Sequence, residues 1–165
     1  MRRAVFSILV GNSSGVLSRV AGMFSRRGYN IDSLTVGETL NPELSRMTIA
    51  VTGEDDVLEQ IEKQLNKLID VKEIVEIPAH ESVCRELVMI KVECGPEKRQ
   101  QVSSIADIFR ANIVDVSKES MIIALTGSLS KMNAFVELLE DFNITEIART
   151  GITGLARGSA DMNKM

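Results

Sequence analysis

The stretch most able to bind a ligand is the loop at residues 11–17, which reads GNSSGVL. Residues 4–10 before it are apolar and residues 16–24 after it are amphipathic, so we expect a strand to enter the loop and a helix to leave it. The first N–H groups of a helix lack intrahelical partners, and the helix dipole is positive at that end. The loop therefore predicts a site for an anion, and the same pattern also fits a plain helix cap.

Two well-known phosphate-binding motifs do not fit this loop. A dinucleotide fingerprint needs a third glycine inside a parallel βαβ unit, and a P-loop needs a lysine that is missing here. Ser13 and Ser14 have no adjacent base, so their hydroxyls are suited to capping the helix or contacting a ligand rather than to nucleophilic attack. The loop thus predicts binding and not catalysis.

No combination of residues elsewhere in the sequence predicts catalysis either. The sole histidine, His80, has Glu81 and Cys84 nearby, but a metal site needs more ligands at defined spacing. No nucleophile–base pair or carboxylate pair is apparent, so a stand-alone enzyme is the weaker alternative. Cys84 and Cys94 belong to no paired cysteine motif, and reduced thiols of this kind are typical of a cytoplasmic protein.

Composition and charge argue against nucleic acid and membranes as partners. Of 165 residues, 44% are hydrophobic and only 4% aromatic, so we expect aliphatic cores. The formal net charge of −4 is divided evenly on either side of Ala79, so neither half is a basic arm for nucleic acid or an anionic membrane. No apolar run approaches the ~20 residues that a membrane span needs.

Hydrophobic periodicity predicts six elements in the first half of the chain, in the order β-α-β-β-α-β. The strands are predicted at 3–10, 29–38, 46–52 and 71–77, and the helices begin at residue 16 and within 53–56. Gly28 ends the first helix, and Pro78 follows the last strand. This order is that of a ferredoxin-like unit, a four-stranded antiparallel sheet with both helices on one face.

The second half repeats the same order of elements. Its strands are predicted at 86–92, 112–117, 120–126 and 144–149, and its helices at 98–109 and 128–142. The two halves share a matching segment, MTIAVTG at 47–53 and MIIALTG at 121–127. We therefore predict an α+β fold of two tandem ferredoxin-like βαββαβ units. The domains are residues 1–78 and 85–150, with a linker at 79–84 and a flexible C-terminal tail at 151–165.

The two predicted units differ at the loop that could bind an anion. The second unit has CGPE at 94–97, which is acidic and conformationally less permissive, so a carboxylate site belongs to the first unit. The ferredoxin-like fold also occurs in RNA-binding domains, which stack bases on aromatic side chains of the central strands. The predicted central strands offer only Phe6 for stacking, which disfavours RNA binding.

Several motifs together resemble the regulatory (small) subunit of acetohydroxyacid synthase, which is also called acetolactate synthase. The most specific are NSSGVLSRV at 12–20 and FSRRGYNIDSLTV at 24–36. The resemblance continues through LSRMTI at 44–49, LEQIEKQL at 58–65, IFRANIVDV at 108–116 and RTGITGLARG at 149–158. It covers essentially the whole chain.

The resemblance implies an effector site shared by two copies of the chain. The first unit would be an ACT domain, a ferredoxin-like module that binds amino acids, and two such domains would pair into a homodimer. The effector, a branched-chain amino acid and usually valine, would lie at their interface. The residues expected to bind it are Asn12, Gly15, Val16 and Leu17 of one copy and Asn30 and Ile31 of the other.

The resemblance also implies a function without catalytic residues, metal or cofactor in this chain. Catalysis would belong to a separate large subunit that uses thiamine diphosphate, Mg²⁺ and FAD to condense two pyruvates, or pyruvate with 2-oxobutyrate. This chain would activate that subunit and confer feedback inhibition by valine. The alternative is a stand-alone amino-acid-binding ACT regulator of another enzyme. Leucine and isoleucine remain alternatives to valine, because a single methyl group discriminates poorly.

Overall fold

The structure is a computed structural model, and it describes residues 1–159. The chain divides into two compact units. The first comprises Met1–Cys84 together with the segment that begins at Ile152, and the second comprises Arg85–Gly151. No helix within the described range is both long enough and apolar enough to cross a membrane.

Six elements form the ferredoxin-like part of the first unit, and their order is the predicted one. They are β1 (Arg2–Gly11), α1 (Val16–Arg27), β2 (Ser33–Glu38), β3 (Leu44–Gly53), α2 (Asp55–Leu65) and β4 (Val71–Glu76). The strands pair antiparallel in the order β2-β3-β1-β4. Phe6 and Ile8 of β1 share one buried hydrophobic cluster with Phe24 of α1 and Ile61 of α2, so both helices cover the same face of the sheet.

The second unit repeats this plan, as the sequence predicts. Its elements are β5 (Ser82–Glu93), α3 (Arg99–Phe109), β6 (Asn112–Val116), β7 (Ser120–Gly127), α4 (Leu129–Leu139) and β8 (Ile144–Arg149). The strands follow the order β6-β7-β5-β8. Its core contains Ile90, Ile123 and Phe135, and the Phe109 and Phe135 rings pack with their centroids 5.2 Å apart.

The internal repeat extends to the irregularities of the two sheets. The register of β1 against β4 shifts between Leu9 and Val10, and the register of β5 against β8 shifts between Lys91 and Val92. A shift of this kind inserts a residue and bends the strand locally, and here it occurs at the same point of each unit. The prediction of two tandem ferredoxin-like units is therefore confirmed.

The second strand begins later than the sequence predicts. Gly28 adopts a left-handed conformation with φ of +69°, and the Tyr29 N–H donates to the Phe24 carbonyl oxygen at 3.0 Å. Tyr29 therefore belongs to the C-terminal turn of α1 and not to a strand. Residues 29–32 form a loop, and β2 starts only at Ser33.

The predicted linker and the predicted flexible tail both need correction. Residues 82–84 of the linker already belong to β5, and part of the tail forms a ninth strand, β9 (Thr153–Ala156), which pairs with β5. The Arg157 N–H donates to the Glu81 carbonyl oxygen at 2.8 Å. Such a short strand has no periodicity of its own, and its pairing partner is distant in sequence. Residues 160–165 of the predicted tail lie outside the described residues.

The residue just before β9 is attached to the first unit. Ile152 is 93% buried, with only 7% of its surface exposed. Its carbonyl oxygen accepts a hydrogen bond from Thr35 Oγ1 at 3.3 Å, and its N–H donates to Ser33 Oγ at 3.5 Å. Both hydroxyls belong to β2, so the returning segment is held against the strand that follows the 29–32 loop.

Replacing Gly154 with alanine is expected to loosen β9. A Cβ atom at Gly154 would lie 2.5 Å from Cys84 Sγ and 3.2 Å from the Val83 carbonyl oxygen, so the strand pair must shift. Overpacking of this kind costs about 1–3 kcal/mol of unfolding free energy. Gly37→Ala is the matched control, because a Cβ atom there meets no atom within 4 Å. Denaturant unfolding compares the variants, and equal stabilities would contradict this placement of β9.

Candidate functional site

The N-terminus of α1 is open to a ligand. Gly15 precedes the helix with φ of +85°, a conformation that is strained for residues with a side chain. None of the described side chains caps this end of the helix. Within residues 1–159, the N–H groups of Gly15, Val16 and Leu17 donate to no protein acceptor. These groups and the positive end of the helix dipole suit a carboxylate.

A guanidinium group lies beside the same backbone. Arg19 Nη1 would be 2.8 Å from a Cβ atom placed on Gly15. Arg19 Nε and Nη2 donate to the two carboxylate oxygens of Asp70, at 2.5 and 3.0 Å. This pair of hydrogen bonds holds the pKa of Asp70 below its ordinary value and raises the pKa of Arg19. The Arg19 guanidinium is therefore fixed beside the start of α1, with its charge paired to Asp70 and its Nη1 atom close to Gly15 and available as a donor.

Val16 and Leu17 at the start of α1 were both predicted to bind the ligand, but they present different groups to it. The side chain of Val16 is buried in the core, with 3% of its surface exposed, so only its backbone N–H is available to a ligand. Leu17 is 47% exposed and can contact an apolar group. Within this half of the site, Leu17 is therefore the better candidate for a wall against a branched side chain.

The side chain of Asn12 is held by the neighbouring strand and turn. Its Nδ2 atom donates to Glu38 Oε2 at 3.2 Å and to the Pro42 carbonyl oxygen at 2.8 Å. Its backbone N–H donates to the Glu43 carbonyl oxygen at 2.7 Å. These contacts join the loop to the end of β2 and to the 39–43 turn, so the amide is oriented before any ligand binds.

The remaining predicted site residues lie at the opposite end of α1. Asn30 is exposed, and Ile31 is half-buried against the core of the first unit. The 12 residues of α1 separate this pair from Asn12 and Gly15, and a helix of that length spans about 18 Å. One chain therefore brings together the loop residues but does not bring Asn30 and Ile31 to them.

Three residues that contact the loop at the start of α1 are not among the site residues predicted from the sequence. They are Arg19, Glu38 and Pro42. Arg19 lies one helical turn after Gly15, and that spacing was the available signal. Glu38 and Pro42 are 26 and 30 residues from Asn12, and their contact with it depends on the pairing of β2 with β3. No local pattern could have found them.

The corresponding loop of the second unit has the opposite charge. Its cavity of about 380 Å³ is lined by Glu93, Cys94, Gly95, Glu97, Lys98 and Glu119. A Cβ atom on Gly95 would lie 2.8 Å from both carboxylate oxygens of Glu97, where the first unit presents a guanidinium. Burial raises the pKa of the Cys94 thiol, so it is not a reactive thiolate. This loop is unsuited to an anion.

The described residues also contain no candidate metal centre. Among residues 1–159, no group of three or more His, Cys, Asp or Glu side chains is placed to hold a metal ion. His80 is exposed, and its nearest acidic partner is Glu81, with Nε2 3.5 Å from the carboxylate. Nothing about His80 distinguishes it from a surface histidine.

Comparison with known proteins decides the family. Residues 6–73 match a family model described as AHAS small subunit-like ACT domain, and residues 85–158 match one described as small subunit of acetolactate synthase. A probable acetolactate synthase small subunit of Archaeoglobus fulgidus is 52% identical over 93% of this chain and 96% of its own length. The chain belongs to the acetolactate synthase small subunit family.

Further relatives extend over the whole chain. The acetolactate synthase isozyme 3 small subunit of Salmonella typhimurium is 46% identical over 97% of this chain and 99% of its own length. The crystal structure of the acetolactate synthase small subunit from Thermotoga maritima superimposes with a TM-score of 0.88. It is 44% identical and covers 97% of this chain and 100% of its own. The fold, with an ACT domain as its first unit, is therefore that of the family.

The family match also includes the strand that the sequence did not predict. The C-terminal family model ends at residue 158, beyond β9, so the returning segment is part of what this small subunit shares with the family.

In the loop of the first unit, free N–H groups and Arg19 can bind a carboxylate, and Leu17 can contact an apolar group. That combination suits a small amino acid.

Proposed function

We propose that this chain is a non-catalytic regulatory subunit of acetohydroxyacid synthase. It activates the thiamine-diphosphate-dependent catalytic subunit and confers feedback inhibition by valine, an end product of branched-chain amino-acid biosynthesis. Membership of the small subunit family supports the assignment to this enzyme. The observation that carries the regulatory role is the open N-terminus of α1 in the ACT domain, where Arg19 lies beside Gly15.

The effector site is completed by a second copy of the chain. Asn12 and Asn30 lie at opposite ends of α1, about 18 Å apart along the helix, so a small amino acid cannot touch both in one chain. β2 is an edge strand of its sheet, and its Val36 is 47% exposed. Pairing two ACT domains side by side would cover such an edge. The homodimer then supplies Asn30 and Ile31 from one copy to the loop of the other.

The chemistry of the enzyme belongs to the large subunit in this proposal. Thiamine diphosphate, Mg²⁺ and FAD bind to that partner, and this chain binds only the branched-chain amino acid. Valine acts because it binds differently to the activating and the inhibiting arrangement of the assembly, as any allosteric effector must. Both subunits act in the cytoplasm.

A reconstitution assay tests the proposal. The purified chain alone should form no acetolactate from pyruvate, and adding it to the purified large subunit should raise the rate. Valine should then lower the rate of the mixture more than that of the large subunit alone. Turnover by the chain alone would identify an enzyme. If the rate of the large subunit is unaffected while the chain still binds valine, the chain regulates another enzyme.

A further inference from the structure

The acceptors around Asn12 fix the orientation of its amide. Nδ2 faces Glu38 Oε2 at 3.2 Å and the Pro42 carbonyl oxygen at 2.8 Å. A carboxylate and a carbonyl oxygen can only accept hydrogen bonds, so the donating NH₂ group must face them. The opposite orientation would place three acceptors together without a proton. The Asn12 carbonyl oxygen, Oδ1, is therefore directed away from both neighbours.

The side-chain oxygen atoms of Asn12 and Glu38 that take part in neither of these hydrogen bonds are both acceptors. Within residues 1–159, Asn12 Oδ1 and the second carboxylate oxygen of Glu38, Oε1, accept no protein hydrogen bond. Glu38 is exposed at the end of β2, where an isolated surface hydrogen bond contributes little to stability. Together they form a small acceptor cluster, Asn12–Glu38, beside the loop that offers free N–H groups.

We infer that Glu38 and Asn12 Oδ1 bind the α-ammonium group of the effector. This inference rests on the proposed function and adds to it a residue that determines the class of ligand. The start of α1 with Arg19 presents donors and positive charge, whereas the Asn12–Glu38 cluster presents acceptors and a carboxylate. An α-amino acid carries the complementary pair of charges on adjacent groups.

The cluster gives the site a basis for rejecting 2-oxo acids. A 2-oxo acid with the same side chain has the carboxylate and the branched carbons of the amino acid, but a carbonyl oxygen replaces the ammonium group. That oxygen would face Glu38 and Asn12 Oδ1 as a third acceptor. A site that leaves polar groups unpaired or repelled by the wrong ligand discriminates between two ligands far better than a site that must distinguish them by one methyl group.

Calorimetric titration of the full-length chain tests this inference. Valine and 3-methyl-2-oxobutanoate, the 2-oxo acid with the same side chain, are titrated into the wild-type chain and into Glu38→Gln. Valine should bind roughly tenfold more weakly to the variant, because a charge-assisted hydrogen bond is lost. The oxo acid should bind the variant as tightly as it binds the wild-type chain, or more tightly. If its heat of binding is small, its affinity is measured by competition with valine.

The control variant is Glu43→Gln, which makes the same charge change at the other end of the 39–43 turn that follows β2. The backbone of Glu43 contacts Asn12, but its carboxylate does not contact the Asn12 amide. It should bind both ligands as the wild-type chain does. If Glu38→Gln weakens both ligands equally, or neither, the ammonium role of Glu38 is wrong while the effector site stands. If the wild-type chain binds no branched-chain amino acid, the proposed function fails as well.

Discussion

Replacing Gly15 with aspartate is expected to abolish inhibition by valine and to leave activation of the catalytic subunit largely intact. The new carboxylate would begin at a Cβ atom 2.8 Å from Arg19 Nη1, where it can take the place of the effector's own carboxylate. It would also repel that carboxylate from the free N–H groups of Val16 and Leu17. Losing two charge-assisted hydrogen bonds should weaken valine binding on the order of 100-fold.

The backbone of Gly15 adds a second cost to the same substitution. Its φ of +85° lies in the left-handed region, which costs an ordinary L-residue roughly 1–2 kcal/mol. A strain of this size lowers the unfolding free energy but leaves the ACT domain folded, because its core does not involve Gly15. Activation, which depends on the folded chain, should therefore persist while sensitivity to valine is lost.

The measurement is the rate of acetolactate formation by the reconstituted enzyme over a range of valine concentrations. Gly158→Asp is a matched control, because Gly158 is also exposed, has φ of +64° and would meet no atom within 4 Å of a new Cβ. That variant introduces the same charge and similar strain far from the loop in sequence, and it should remain inhibited by valine. Undiminished inhibition of Gly15→Asp would reject the start of α1 as the effector site.

Local patterns were sufficient to predict most of the fold. β3 is predicted from alternating apolar residues and β7 contains the segment that matches it, and each strand ends at the glycine that closes the matching segment, Gly53 and Gly127. α1 was predicted from apolar residues at helical spacing and from Gly28, which does adopt the left-handed conformation of a helix C-terminus. Each of these signals lies within about a dozen residues of the element that it predicts.

The features that the sequence did not reveal depend on contacts between distant segments. β9 exists because four residues pair with the start of β5 and because Ile152 is bonded to Ser33 and Thr35, more than a hundred residues earlier. The orientation of Asn12 likewise depends on Glu38, which only the folded sheet brings near. Such contacts carry no periodicity, so composition alone made the C-terminal segment look unstructured.

The division of the predicted site between the two ends of α1 leads to a test of whether two copies of the chain share each site. In a dimer of Asn12→Ala chains every site lacks the same side chain, and the same holds for a dimer of Asn30→Ala chains. A heterodimer of the two variants is different. One of its sites receives the native Asn12 from one chain and the native Asn30 from the other, and its second site carries both substitutions.

We expect the heterodimer to recover about half of the wild-type number of sites, with wild-type affinity. The two variants are co-expressed with different affinity tags, heterodimers are isolated through both tags, and calorimetry gives the stoichiometry for valine.

The control is a heterodimer of Asn12→Ala with Gly15→Asp. Both substitutions affect the loop at the start of α1, so neither of its sites is intact and none should recover. If each chain formed a complete site by itself, neither heterodimer would contain an intact site. Recovery in the first heterodimer and not in the control therefore requires residues from both copies in one site.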